Sequence, residues 1–140
     1  MESSSIDAVT DWFARPVLHV ASVEASLGFY VDRLGFTVAW QFEEGGRVLV
    51  AQVERGSCAL ILSSQWPGKV GMGLMFISLT VEPETYDAAV AALDRLRAEF
   101  EDRGAPVKDG HWGYRVLVVE DLDGNQLFFN YPNQPQLPTR

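Results

Sequence analysis

The sequence predicts an α+β fold made of two β-α-β-β-β modules, about residues 15–65 and 74–131, followed by a tail over 132–140. Three observations lead there. The order strand, helix, strand, strand, strand is legible twice along the 140 residues, and repetition at this scale marks a duplicated structural unit. Each helical stretch carries one apolar stripe and stops at a glycine, Gly35 in the first half and Gly104 in the second. Neither half has enough strands to bury a core by itself, so the two are expected to pair and share one within a single domain spanning 1–140.

Taken in order, Pro16 to Val20 reads as a short strand. Ser22 is placed to cap a helix running through Leu34, because its hydroxyl can accept from a free amide of the first turn. Val23, Leu27, Tyr30 and Leu34 fall at steps of four, three and four, the buried stripe of that helix. Strands follow over Phe36–Glu43, Arg47–Glu54 and Cys58–Ser63, separated by turns at Gly45-Gly46 and Arg55-Gly56-Ser57. Residues 64–73 form a loop rich in glycine.

The second half opens with a strand over Met75–Val81. A helix from about Tyr86 to Arg103 places Tyr86, Val90, Leu93, Leu96 and Phe100 on one stripe. A weak strand near Val107 comes next, then strands over Tyr114–Val119 and Gln126–Tyr131. Between the last two, Asp121-Leu-Asp-Gly-Asn125 is a turn signal, since glycine supplies the positive φ that a tight reversal needs. Beyond it two phenylalanines are adjacent on one strand, so Phe128 must point away from the face that Leu127 and Phe129 share.

The net charge of −8 argues against a nucleic-acid partner, because so acidic a chain repels phosphate backbones. A solubilising role accounts for most of it. The single cysteine, Cys58, lies in an apolar run and reads as an inert buried thiol that can form no intramolecular disulfide. No window is long and apolar enough to cross a bilayer, and the first residues carry no basic-then-apolar leader, so a cytoplasmic location without membrane association is expected.

Three segments resemble the vicinal oxygen chelate superfamily, which includes glyoxalase I, bleomycin-resistance proteins and extradiol dioxygenases. The first is Leu18-His-Val-Ala-Ser-Val-Glu-Ala-Ser-Leu-Gly-Phe-Tyr30 with Leu34-Gly-Phe36; the second is Val119-Glu-Asp-Leu-Asp-Gly-Asn125, with Leu122 where the family has proline. The third, Trp112-Gly113 ahead of the penultimate strand, is similar to the bleomycin-resistance branch. The resemblance implies a partly open, curved sheet built from the paired modules. It also implies a homodimer, since many members complete their cups across subunits.

The superfamily's enzymes hold a divalent metal with His or Glu at four points, on the first and last strands of each module. Aligned by the local motifs, these points fall on Arg15, Ile61, Phe76 and Phe128, none of them a metal donor. His19 has cup-facing parity, but the chain's other histidine, His111, sits far away in a loop, and Glu43, Glu54, Glu120 and Asp121 lack ligand spacing with His19. No metal and no other cofactor is therefore expected.

What remains is an apolar hollow with a few fixed polar groups, the usual make-up of a small-molecule site. Parity assigns Arg15, Val17, His19, Ile61, Ser63, Phe76, Ser78, Phe128 and Asn130 to its lining, with Trp40, Trp66 and Trp112 placed to add flat surfaces, the last two from loops. Glu43, Glu44, Glu120 and Asp121 are expected at its mouth, where acid would favour a cationic ligand. The favoured reading is a metal-independent, non-catalytic protein of bleomycin-resistance type that sequesters a flat, cation-compatible molecule at a dimer interface. Two alternatives stand beside it. One is a metal-dependent lyase, isomerase or dioxygenase of the same superfamily. The other is an interaction module in which Phe76 and Phe128 are packed solid with no cavity. A general-base role for His19 or Asp121 also stays open. The segment Ile6–Phe13 borders Arg15 and is placed to fold over the cup mouth.

Overall fold

The computed structural model describes residues 12–79, 85–111 and 115–131. Trp112 and Gly113, with the residues after Tyr131, lie outside them.

The first module consists of β1 (Val17–His19), α1 (Val23–Leu27, continued by a wider turn over Gly28–Arg33), β2 (Thr37–Glu44), β3 (Arg47–Arg55) and β4 (Cys58–Ser63). The second consists of β5 (Leu74–Ser78), α2 (Tyr86–Asp102), β6 (Val107–His111), β7 (Arg115–Glu120) and β8 (Gln126–Asn130). The two sheets have the same order, β1-β4-β3-β2 and β5-β8-β7-β6. In each, the first strand runs parallel to the last and antiparallel hairpins complete the sheet. The expected strands and helices are present, most of them shifted by a residue or two at their ends; β5 stops at Ser78, three residues before the expected Val81, which lies outside the described residues.

The helix starts follow from side-chain caps. Ser22 Oγ accepts from Ala25 N at 3.1 Å, and Thr85 Oγ1 accepts from Ala88 N at 3.0 Å. One expectation is corrected within α1. The segment is not α-helical through Leu34; it opens into a π-type turn over Gly28–Arg33. Widening the turn brings the consecutive side chains Phe29 and Tyr30 both onto the buried side, where their rings meet edge to face at 5.5 Å.

A single apolar core joins the modules. Leu18, Val20, Tyr30, Leu34, Leu60 and Leu62 from the first pack in one cluster with Leu93, Phe100, Leu117, Leu127 and Phe129 from the second. Helix-facing parity therefore holds for Leu127 and Phe129, while Phe128 belongs to a separate small cluster with Val116 and Val118 on the other face of its sheet.

Polar ties reinforce this junction. The Tyr30 hydroxyl donates to Asp121 Oδ2 at 2.9 Å, and Asn125 Nδ2 donates to the His19 carbonyl at 3.1 Å. That same carbonyl accepts from Gly71 N at 3.2 Å. Gly71 has φ +78, and a Cβ there would run into the Asp123 carbonyl, so the chain crosses between modules where only glycine fits. Arg55, at the end of β3, makes paired bonds to Glu99 of α2 at 2.8 and 2.9 Å and donates to the Leu34 carbonyl at 2.8 Å.

Candidate ligand-binding site

Residues directly opposite in a sheet share a face, so the strand registers give the lining of each wall row by row. In the first sheet one row is Val17, Ile61, Gln52 and Trp40. The next is His19, Ser63, Val50 and Phe42. In the second sheet Phe76, Phe128, Val118 and Lys108 form one row, flanked by Ser78 with Asn130 and by Leu74 with Gln126. These rows lie on the faces turned away from the shared core.

The structure brings Phe76 and Phe128 together directly, with ring centroids 5.4 Å apart. Phe128 is 6% exposed and Phe76 is 47% exposed, so the inner ring is packed while the outer one is about half exposed. Ile61 lies opposite Val17 rather than Arg15, which precedes β1. Arg15 reaches the same row through its side chain, donating from Nη1 to Gln52 Oε1 at 2.7 Å. His19 meets the Trp66 ring edge to face at 5.5 Å. Ser63 and Asn130 are buried, and Ser78 is exposed. Among the described residues, His19 Nδ1 and Asn130 Oδ1, both on cup-facing positions, are buried without a hydrogen-bond partner. Trp112 lies outside the described residues. Of the segment expected over the mouth, only Trp12 and Phe13 are described, and both are exposed.

Asp121 requires a correction. It does not line the mouth; it is buried inside the turn between β7 and β8. Its Oδ1 accepts from Asp123 N and Asn125 N, both at 2.9 Å, and its Oδ2 accepts from Tyr30 Oη and Asn125 Nδ2. Each oxygen accepts two hydrogen bonds, three from the turn and one from Tyr30, so a general-base role has no support. Burial, together with the Asp121 charge and hydrogen bond, holds the Tyr30 phenol far above its ordinary range and keeps it a donor. Burial likewise pushes the Cys58 thiol up, which makes it a poor nucleophile near neutrality.

Several wall residues escaped the sequence reading as ligand contacts, among them Gln52 and Phe42 on the first wall and Leu74 and Val118 on the second. The signal was present. Ala51 and Val53 alternate with Gln52 and Glu54 on β3, and because the first pair is core-facing the second pair must face the cup.

A groove of about 600 Å3 runs alongside β5, from Ala14 and Pro16 past the β3–β4 turn to Met75–Leu79, with Leu96 and Phe100 of α2 beneath. Its lining is mostly hydrocarbon, with Arg55 and the Cys58 thiol at one end.

The positions where a metal would be held do not suit one. Arg15 is a cation and Ile61, Phe76 and Phe128 are hydrocarbons, so none offers the imidazole or carboxylate donors that a divalent ion needs. Among the described residues no three His, Cys, Asp or Glu side chains gather to form another such site. No helix of the described residues is long and apolar enough to cross a membrane.

The model of the Glyoxalase/Bleomycin resistance protein/Dioxygenase superfamily matches residues 10–129. The chain belongs to that superfamily. Among solved structures, it is similar to TnmS3, an antibiotic binding protein from Streptomyces sp. CB03234, with 21% identity, a TM-score of 0.64 and coverage of 88% of this chain and 98% of that one. It is also similar to the bleomycin-binding protein from Streptomyces verticillus, solved with copper(II)-bleomycin, at 26% identity and TM-score 0.62, covering 88% and 98%. A lactoylglutathione lyase from Agrobacterium tumefaciens shares the fold at 19% identity and TM-score 0.63, covering 87% and 95%. No curated protein matches the chain. The superfamily thus spans binders and enzymes, and the choice between them falls to the side chains described above.

Proposed function

We propose that this chain is a metal-independent small-molecule binding protein that sequesters a flat ligand in a cup completed by a second copy. The observation that carries the reading is the state of the two walls. Each leaves large apolar side chains in the open within one chain, including Trp40 and Phe42 on the first and Leu74 and Phe76 on the second. Neither wall offers a metal donor set at the positions where the fold's enzymes hold their ion. Half-exposed aromatic rings on a wall that also carries a few fixed polar groups suit the burial of a planar molecule. The exposed Phe76 also speaks against a cup packed solid for a structural role.

A homodimer is part of this reading, because two exposed apolar walls in a monomer are normally covered. A cytoplasmic setting is part of it too, and the lone half-buried thiol Cys58 suits a reducing compartment. Exposed Glu43, Glu44 and Glu120 leave a weak attraction for cations at the periphery, while buried Asp121 adds nothing to it.

The test is titration of the purified protein with flat aromatic compounds of either charge, bleomycin-like and intercalator-like ones among them, followed by tryptophan fluorescence, with sedimentation to establish the dimer. Quenching that saturates at micromolar ligand is expected. Absence of any response, or a monomer at those concentrations, would count decisively against the proposal. The likeness to a lactoylglutathione lyase favours a second reading, a metal-dependent lyase, isomerase or dioxygenase. Stoichiometric Ni, Zn, Mn or Fe after expression in supplemented medium would establish that reading in place of the first.

A further inference from the structure

The first wall carries a polar arrangement that sequestration of a plain flat molecule does not require. Gln52 is 7% exposed, and both ends of its amide are engaged. Its Oε1 accepts from Arg15 Nη1 at 2.7 Å and from Trp40 Nε1 at 3.1 Å, while its Nε2 donates to Glu54 Oε2 at 2.7 Å. These three bonds fix the amide's orientation, since turning it over would set an NH2 group against two donors.

Two consequences follow for the neighbours. The Trp40 N–H is turned into the wall, so the indole offers its ring surface to the cup while remaining 42% exposed. The Arg15 guanidinium is held through one nitrogen by a neutral acceptor. Among the described residues it has no carboxylate partner, and its other contact is the Phe13 ring, 6.0 Å away. It keeps most of its fork of donors, the geometry that suits a two-oxygen anion.

We propose that Arg15 and Trp40, set in place by Gln52, form a subsite for an aromatic acid, with the ring lying on the indole and one ring-borne oxyanion on the guanidinium fork. This rests on the reading of the cup as a binding site and names the ligand class that the site takes. It runs against the net charge of −8, but exposed charges more than about 10 Å away are largely screened at ordinary salt, so the groups in contact decide. Glu54 refines the choice. It lies opposite Ala59 on the cup face, and a second acidic group on the ligand would be repelled there, so the subsite favours a monoanion.

Calorimetric titration with 2-naphthoate, 2-naphthamide and 2-naphthylmethylammonium tests this, because the three share one ring and differ in charge. The carboxylate is expected to bind about tenfold tighter than the amide, a difference of about 1.4 kcal/mol, and the cation weakest. Arg15→Gln should abolish the preference while leaving the amide within about twofold, and Arg15→Lys should restore only part of it, because a point charge cannot replace a fork. Gln52→Leu should lower the carboxylate-to-amide ratio while leaving the amide's affinity nearly unchanged, a split that a merely structural loss would not give. Glu54→Gln should strengthen carboxylate binding. Equal binding of all three probes, tightest binding of the cation, or an unchanged ratio in Arg15→Gln would overturn the inference. Failure of every probe to bind would remove the cup reading along with it, whereas binding without discrimination would sink this inference alone. Unfolding midpoints of the variants, with the exposed Arg15→Gln as the least disruptive, show whether a lost preference comes from lost folding.

Discussion

The two walls of the cup share one strand order and differ in chemistry. The wall of β1–β4 is wet: Arg15, Gln52, Trp40 and Glu54 are linked across it by hydrogen bonds. The wall of β5–β8 is dry at its centre: Phe76 and Phe128 meet at a tilt, and Phe128 packs with Val116 and Val118. Their backs are alike, since both helices feed one core. A duplicated unit can thus keep its interior constant, where any change of volume is costly, and let its outward faces diverge. In the proposed binding cup, one face would supply area and the other direction.

The largest way to break this contrast is to open the dry wall. Phe128→Ala removes a ring that is 6% exposed and leaves a void against Val116 and Val118. It is expected to cost about 3 kcal/mol of stability, read from urea unfolding, as buried Phe→Ala changes do. A loss under about 1 kcal/mol would mean that the ring is not part of a packed layer.

Next in size is the wet wall. Gln52→Ala strips three hydrogen bonds, but Arg15 and Trp40 stand near water that can replace them. The expected cost is about 1–2 kcal/mol, smaller than at Phe128 because few groups are left buried and unpaired. A cost that matched the dry wall's would show the two faces to be equally structural.

The smallest effect belongs to neither wall and serves as a control. Arg55 and its hydrogen bonds hold the Glu99 carboxyl below its ordinary range, against a smaller opposing effect of burial. A carboxylate depressed in the folded state stabilises above its unfolded pKa, and that contribution fades as pH falls through the folded value. Stability should therefore decline in mild acid, and Glu99→Gln should flatten part of that decline. Both side chains are about a third exposed, so the effect is expected to stay below about 1 kcal/mol. Ligand affinity per folded molecule should not change with this substitution.

Much of the fold was legible because its signals are local. The stripes at Val23–Leu34 and Tyr86–Phe100, the glycines after them and the Asp121–Asn125 turn each need only a few neighbours to be read. What escaped depends on partners far along the chain. The widened turn of α1 reflects the need to bury Phe29 and Tyr30 together, which helical spacing does not encode. Asp121 looked like a free acid because its donor, Tyr30, lies 91 residues away. Of the candidate site, Phe76, Phe128, Ile61 and His19 fall on the cup face that parity assigns, whereas Gln52 was passed over because a lone glutamine on a strand resembles an ordinary solvent-facing residue until its three bonds are seen.

The turn between β7 and β8 has one more consequence. Through Asp121 and Asn125 it inserts hydrogen-bonding side chains into the opposite half, at Tyr30 and at the His19 carbonyl. A chain severed in the linker near Met72 would yield two pieces, each with half of an oily interior laid bare and one side of a broken latch. Such fragments should aggregate when made separately and regain shape only when refolded as a mixture, so what began as a doubled unit has become indivisible.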